Sequence, residues 1–292
     1  MSKVSHLSRL SHSVGKIGVF DSGVGGLTVL REIVRQLPHE SVLYFGDTAR
    51  LPYGERSSAE ILRYVREIIA WMLNQGVKMV VMACNTSSAL ALERVQSEFD
   101  VPILGVILPG ARAAVKAGRR IGVISTQATA ESGAYRQAIL EIDGGVAVWQ
   151  VGCPEFVPLI EQNRIHEPYT RSVAQLYLEP LLKAKVDTLV YGCTHYPHLE
   201  PVLRQLVPCH VKLIDPAKSL VRAMVRELDL LGMRNANRVG SLELGNTEFY
   251  VSGEPERFAQ TATQCLGYCP NVKPVSLALL ESGQPDLFRL AS

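Results

Sequence analysis

The sequence has no apolar run long enough to cross a membrane. Its longest stretches, 79–84 and 101–108, fall well short of the ~18 residues a membrane helix needs. It has no surplus of either charge: 30 Lys and Arg against 28 Asp and Glu leave a net +2, which argues for neither nucleic-acid binding nor an acidic tail. Cysteine is sparse, six in 292 residues, and no C-x2-C pair occurs. A disulfide scaffold and a structural metal site are therefore not expected, and the default compartment is the reducing cytosol. Residues 1–15 hold five serines and no acid. They lack the apolar centre of a secretory signal and read as a flexible N-terminal extension.

What is present is the composition of a globular chain, 47% hydrophobic and 20% charged. At roughly 150 residues per domain, the length suggests two domains. Short β-rich runs are expected at 17–20, 41–45, 79–83, 103–106, 121–124, 146–151, 188–191, 211–214 and 249–251. Their near-continuous apolarity suits strands buried on both faces of a parallel sheet. Helical patterns lie between them. The clearest, 58–75, opens on a capping box of Ser57 and Glu60, carries an apolar stripe from Ile61 to Leu73, and stops at Gly76. Such alternation predicts an α/β fold with parallel sheets.

A weak internal repeat runs through the chain. KIGVFDS (16–22) matches RIGVIST (120–126), SVLYFGD (41–47) falls against VAVWQVG (146–152), and MVVMACNT (79–86) against TLVYGCTH (188–195). Two similar α/β units are expected, each with one cysteine at a strand end, so that Cys84 and Cys193 could face each other across a shared cleft.

Three segments have the residue types of a site. DSGVGG (21–26) follows the first strand and opens a helix; its glycines permit φ > 0 or close approach to the backbone, and Asp21 and Ser22 stand at the carboxyl end of a strand. The segment lacks the spacing and the lysine of nucleotide loops. ACNTSS (83–88) sets Cys84, Asn85 and Thr86 at a strand–helix junction, where helix amides should lower the thiol pKa and hold a carboxylate. GCTHYP (192–197) repeats the arrangement with Cys193, Thr194 and His195. Paired thiols of this kind suit either a redox pair or two acid–base groups.

Taken in order, DSGVGG, GDTARLPYG (46–54), ACNTSS, GCPEFVPLIE (152–161) and GCTHYP resemble the aspartate/glutamate racemase family, and glutamate racemases within it, across about residues 16–290. The resemblance implies two pseudo-symmetric parallel-sheet α/β domains, 16–98 plus 208–292 and 99–207, with the active site in the cleft between them. It assigns Cys84 and Cys193 as catalytic acid/base residues, with Asp21 and His195 as polar helpers. Implied substrate contacts are Asp21, Ser22, Tyr53, Gly54, Asn85, Thr86, Thr194 and His195, with Asp47 and Glu161 as further acidic positions. It implies a bacterial, cytoplasmic homodimer that inverts glutamate without cofactor or metal, for peptidoglycan synthesis. It also assigns Cys84 to the D-enantiomer and Cys193 to the L-enantiomer. Inverting Cα needs a base on one face and an acid on the other, and thiols suit both roles near neutral pH.

The rivals are an aspartate racemase, a two-domain protein that binds an anion without chemistry, and a thiol-redox sensor. Other residues read more simply. Cys153 should be packing. Cys265 and Cys269, four apart, should share a helical face. His198 should cap or solvate a helix start, and Arg63, Arg66 and Glu67 should form a solvated helix face.

Overall fold

The computed structural model describes residues 15–235 and 246–277. The expected extension therefore lies outside the described residues except for Gly15, as does the C-terminal stretch 278–292.

The chain begins with β1 (Lys16–Asp21), α1 (Leu27–Gln36), β2 (Val42–Gly46), α2 (Ser58–Asn74), β3 (Val77–Met82), α3 (Asn85–Gln96) and β4 (Ile103–Gly105). After α4 (Ile107–Ala117) the pattern restarts with β5 (Arg120–Ser125), α5 (Gln127–Ser132), α6 (Ala134–Ile142), β6 (Ala147–Gly152), α7 (Phe156–Glu161), α8 (Pro168–Lys183), β7 (Thr188–Gly192), α9 (Glu200–Leu206) and β8 (Lys212–Ile214). Then come α10 (Pro216–Leu230), β9 (Thr247–Val251), α11 (Pro255–Leu266) and β10 (Val272–Pro274).

Two sheets result, ordered β10-β9-β2-β1-β3-β4 and β6-β5-β7-β8, and every strand pairing in both is parallel. The order β2-β1-β3-β4 recurs as β6-β5-β7-β8, strand for strand along the sequence repeat. Only β9 and β10, added beyond β2, break the correspondence. β10 was not expected, being three residues long and closed by Pro274.

Strand pairing moves both crossings between the units past the expected breaks at 98/99 and 207/208. β4 joins β3 in the first sheet, with Val80 opposite Ile103. β8 joins β7 in the second, with Leu189 opposite Leu213. No polar linker marks these crossings because they run into packed helices: α10 lies against both α1 and α4. Alternation along the strands explains why the units hold together. Ile17, Val19, Val42 and Tyr44 of the first sheet and Ile121, Val123, Val148 and Val190 of the second point into one central core. Phe20, Leu43 and Phe45 face a separate core under α2. That helix has the expected capping box, with Glu60 N–H donating to Ser57 Oγ and the Glu60 carboxylate accepting from Ser57 N–H. Gly76 follows it at φ +74°.

Candidate active site

Parallel strands deliver their carboxyl ends to one side of a sheet, where α/β folds collect ligands. Here β1, β3, β5 and β7 end at a cavity of about 350 Å³ between the units. From the first unit it is lined by Ser22, Tyr53, Gly54, Cys84, Asn85 and Thr86; from the second, by Glu161, Cys193, Thr194 and His195. Both thiols are buried, 5% and 7% exposed.

Cys84 caps α3. The backbone N–H groups of Thr86 and Ser87 favour its thiolate, as helix termini do, but burial outweighs them and the Asp21 charge adds to it. Together they push the thiol up to about 12. The sequence-based expectation of a lowered pKa is thus reversed. An acid removed from water resists ionisation more than two amides can offset.

Cys193 has an imidazole beside it, with Sγ 3.8 Å from His195 Nδ1. On the other side of the ring, Nε2 lies 3.3 Å from Glu161 Oε1, close enough for charge attraction although not aligned as a hydrogen bond. Burial alone would lower the His195 pKa. The Cys193 sulfur and Glu161 overcome it and hold the imidazole well above its ordinary value. Glu161 thus lines the cavity and also backs His195.

Two predicted acids do not line the cavity. Asp21 is fully buried behind Thr194, whose hydroxyl donates to Oδ2 at 3.1 Å, while Gly23 N–H donates to Oδ1 at 2.9 Å. Burial raises its pKa against these donors and the attraction of His195. Asp47 is also fully buried. It accepts from the Tyr53 hydroxyl and from Ser252 Oγ, and so fixes the loop that brings Tyr53 and Gly54 to the cavity. Each acid is linked to the cavity by a lining residue that donates to it, Thr194 for Asp21 and Tyr53 for Asp47.

None of the glycines of DSGVGG has positive φ, and Gly25 serves close packing between the units. A Cβ on Gly25 would lie 2.3 Å from Thr194 Oγ1 and 2.6 Å from His195 Nδ1. The first unit can therefore approach the second cysteine motif only where a side chain is missing. The seam is also polar: Thr86 Oγ1 lies 3.0 Å from Thr126 Oγ1, which lies 2.9 Å from Thr129 Oγ1.

Sequence reasoning missed several lining residues, among them Leu51, Thr126, Gln127, Gln162 and Arg257. The repeat could have found Thr126, which falls opposite Ser22 when RIGVIST is set against KIGVFDS. Nothing local marks Arg257, which arrives from α11. Among the described residues, no cluster of three or more His, Cys, Asp or Glu is placed to hold a metal ion, and no helix is long and apolar enough to cross a membrane.

Cys153 is buried and belongs to the core. Cys265 and Cys269 do not share a helical face, because α11 ends at Leu266 and Gly267 turns the chain at φ +80°. His198 is half-buried, its Nε2 3.9 Å from the Cys265 thiol. Arg66 pairs with Glu98, and Glu67 with Arg50, so Glu67 is more enclosed than a solvated face would leave it.

Comparison with known proteins agrees with this geometry. The family model described as Asp/Glu/Hydantoin racemase matches residues 17–224. A glutamate racemase from Synechocystis sp. is 64% identical over 271 residues, covering 93% of this chain and 95% of that protein. The crystal structure of a glutamate racemase isoform from Bacillus anthracis superposes with a TM-score of 0.86 at 37% identity, covering 91% of this chain and 99% of that one. The glutamate racemase from Francisella tularensis, solved in complex with D-glutamate, superposes with a TM-score of 0.83 at 32% identity, covering 90% and 98%.

Proposed function

The chain belongs to the Asp/Glu/Hydantoin racemase family and is an amino-acid racemase, and from that premise we propose that it interconverts L- and D-glutamate by a two-thiol mechanism. One thiolate removes the Cα proton from one face, and the opposite thiol delivers a proton to the other face. The roles exchange in the reverse direction. The observation that carries this is the shared cavity, into which each unit brings one cysteine from the end of its own third strand.

The surroundings suit the chemistry. Charge that develops on the substrate carboxylate as Cα–H is lost needs fixed donors. The Asn85 amide and the hydroxyls of Ser22 and Thr86 line the cavity to supply them. Thr194 gives its hydroxyl proton to Asp21, which leaves its oxygen as an acceptor for the substrate ammonium. His195, held toward its cation by Glu161, stabilises the Cys193 thiolate. On the family resemblance we assign the enzyme a role in the bacterial cytoplasm, as a homodimer supplying D-glutamate for peptidoglycan, with no cofactor in the proton transfers.

The test is direct. The purified protein, dialysed against chelator, is incubated separately with L- and D-glutamate and L- and D-aspartate, and optical rotation is followed. Loss of rotation with both glutamates and not with the aspartates is expected. Inversion of aspartate alone, or activity that returns only with metal or pyridoxal phosphate, would overturn the assignment.

A further inference from the structure

Asn85 can serve a substrate carboxylate only if its NH2 end, and not its carbonyl, faces the cavity. The two ends of a carboxamide are nearly identical in shape, so only hydrogen-bond partners decide which way it points. The decisive partner comes from the other unit. Tyr135, near the start of α6, donates its hydroxyl proton to Asn85 Oδ1 at 2.7 Å. Asn85 is 3% exposed and lines the cavity; Tyr135 is fully buried and does not. With the carbonyl end held on the phenol, the NH2 end is turned away from Tyr135. Tyr135 is fully buried away from the cavity, so its hydroxyl has no solvent to turn to instead.

The phenol is itself fixed. Its ring sits in the central core shared by both sheets, and α4 approaches so closely that a Cβ on Gly110 would lie 3.2 Å from the Tyr135 ring. A donor anchored in the core of one unit therefore sets the orientation of a cavity amide that belongs to the other. The two thiols and Glu161 have no part in this bond.

We propose that Tyr135 is a positioning residue: it holds the Asn85 carboxamide with its donor end toward the substrate carboxylate. This rests on the two-thiol racemisation of glutamate proposed above, in which Asn85 binds that carboxylate. Without the phenol proton the amide is free to flip, and in the flipped state its oxygen opposes the carboxylate.

The experiment is a double-mutant cycle on kcat/KM, measured in both directions. Tyr135→Phe keeps the ring and should lower kcat/KM about 10-fold, the size expected for one lost hydrogen bond. Replacement by 4-aminophenylalanine, which retains an N–H donor at the same place, should recover most of that loss. In an Asn85→Ala background, Tyr135→Phe should cost nothing further, because the amide it orients is gone. Parent-like kcat/KM in Tyr135→Phe, or losses that multiply in the double mutant, would overturn the proposal. If the phenylalanine variant does not fold, the 4-aminophenylalanine variant takes its place in the same cycle, with multiplicative losses again decisive against it. A parent that racemises no glutamate would instead sink the underlying function, so the two failures are distinct.

Discussion

Cys193 Sγ lies 3.8 Å from His195 Nδ1, whereas Cys84 rests on the backbone amides of Thr86 and Ser87. The two thiols are related by the repeat but not by environment. One has an imidazole beside it, backed by Glu161, and the other has helix amides beside it and the buried Asp21 near it. A racemase with equal enantiomers at equilibrium must have equal kcat/KM in the two directions, so this asymmetry has to show in individual steps.

Replacing His195 with Asn removes the imidazolium and leaves a neutral amide. With its partner lost, proton transfer through Cys193 should slow, and kcat/KM should fall on the order of 10²-fold in both directions. The telling signal is the isotope effect. If Cys193 serves L-glutamate, abstraction from that enantiomer becomes slowest, and the primary effect should grow with 2-deuterio-L-glutamate and shrink toward unity with 2-deuterio-D-glutamate. Equal effects with both substrates would show that His195 does not act through Cys193.

Burial of Cys84 makes stability depend on alkaline pH. Its pKa is pushed up to about 12 from an unfolded value of 9.0. Between these values the folded state keeps a proton that the unfolded state releases, so stability falls as pH rises from about 9 toward 12. At pH 10.5 the loss from this group is about 2 kcal/mol. Urea unfolding of Cys84→Ala should therefore decline less steeply between pH 8.5 and 10.5 than that of the parent. Parallel declines in the two proteins would mean that the Cys84 thiol is not held protonated.

The repeat, the parallel sheets and the placing of both cysteines at strand ends were legible in the sequence, because hydrophobic pattern and strand-end position are local properties. What covers a strand end is not local. Asp21 stands at a strand's carboxyl end in the sequence and Asp47 matches an acidic position of the family, yet Thr194 and Ser252, 173 and 205 residues away along the chain, close over them. The direction of the Cys84 shift was misread for the same reason: its helix amides are adjacent in sequence, while Phe20, Tyr53 and Tyr64 of the core it joins are not. Tyr135 carries no motif at all, and its link to Asn85 exists only because α6 of one unit reaches α3 of the other.

Apart from His195, Arg257 is the one basic side chain among the residues described as lining the cavity. It also borders an adjoining cavity that shares Leu51 and Glu161. Glu55 and Glu161 stand in the same lining, so an anionic substrate meets mixed charge on entry. Reversing the cation with Arg257→Glu should raise KM on the order of 10-fold at low ionic strength while leaving kcat within a factor of two. The defect should shrink in ~0.5 M salt, where charges are screened within a few ångströms. A KM that does not respond to salt in the variant would show that Arg257 has no electrostatic part in substrate entry.

In the proposed two-thiol mechanism each thiol serves one face of Cα, so removing one leaves a base that acts on a single enantiomer. Cys84→Ala and Cys193→Ala should each lose net inversion by ~10²–10⁴-fold, the range credited to one general acid or base. Serine in either place should do little better, since an alcohol is a far weaker acid than a thiol. The surviving thiol can still remove and return a proton on its own side. In D2O, Cys84→Ala should therefore place deuterium at Cα of L-glutamate alone, and Cys193→Ala at Cα of D-glutamate alone, as read by mass spectrometry. Reversal of both preferences would exchange the two assignments and keep the mechanism. Near-parent racemisation by either alanine variant would mean that the missing cysteine is structural and that a single base serves both faces.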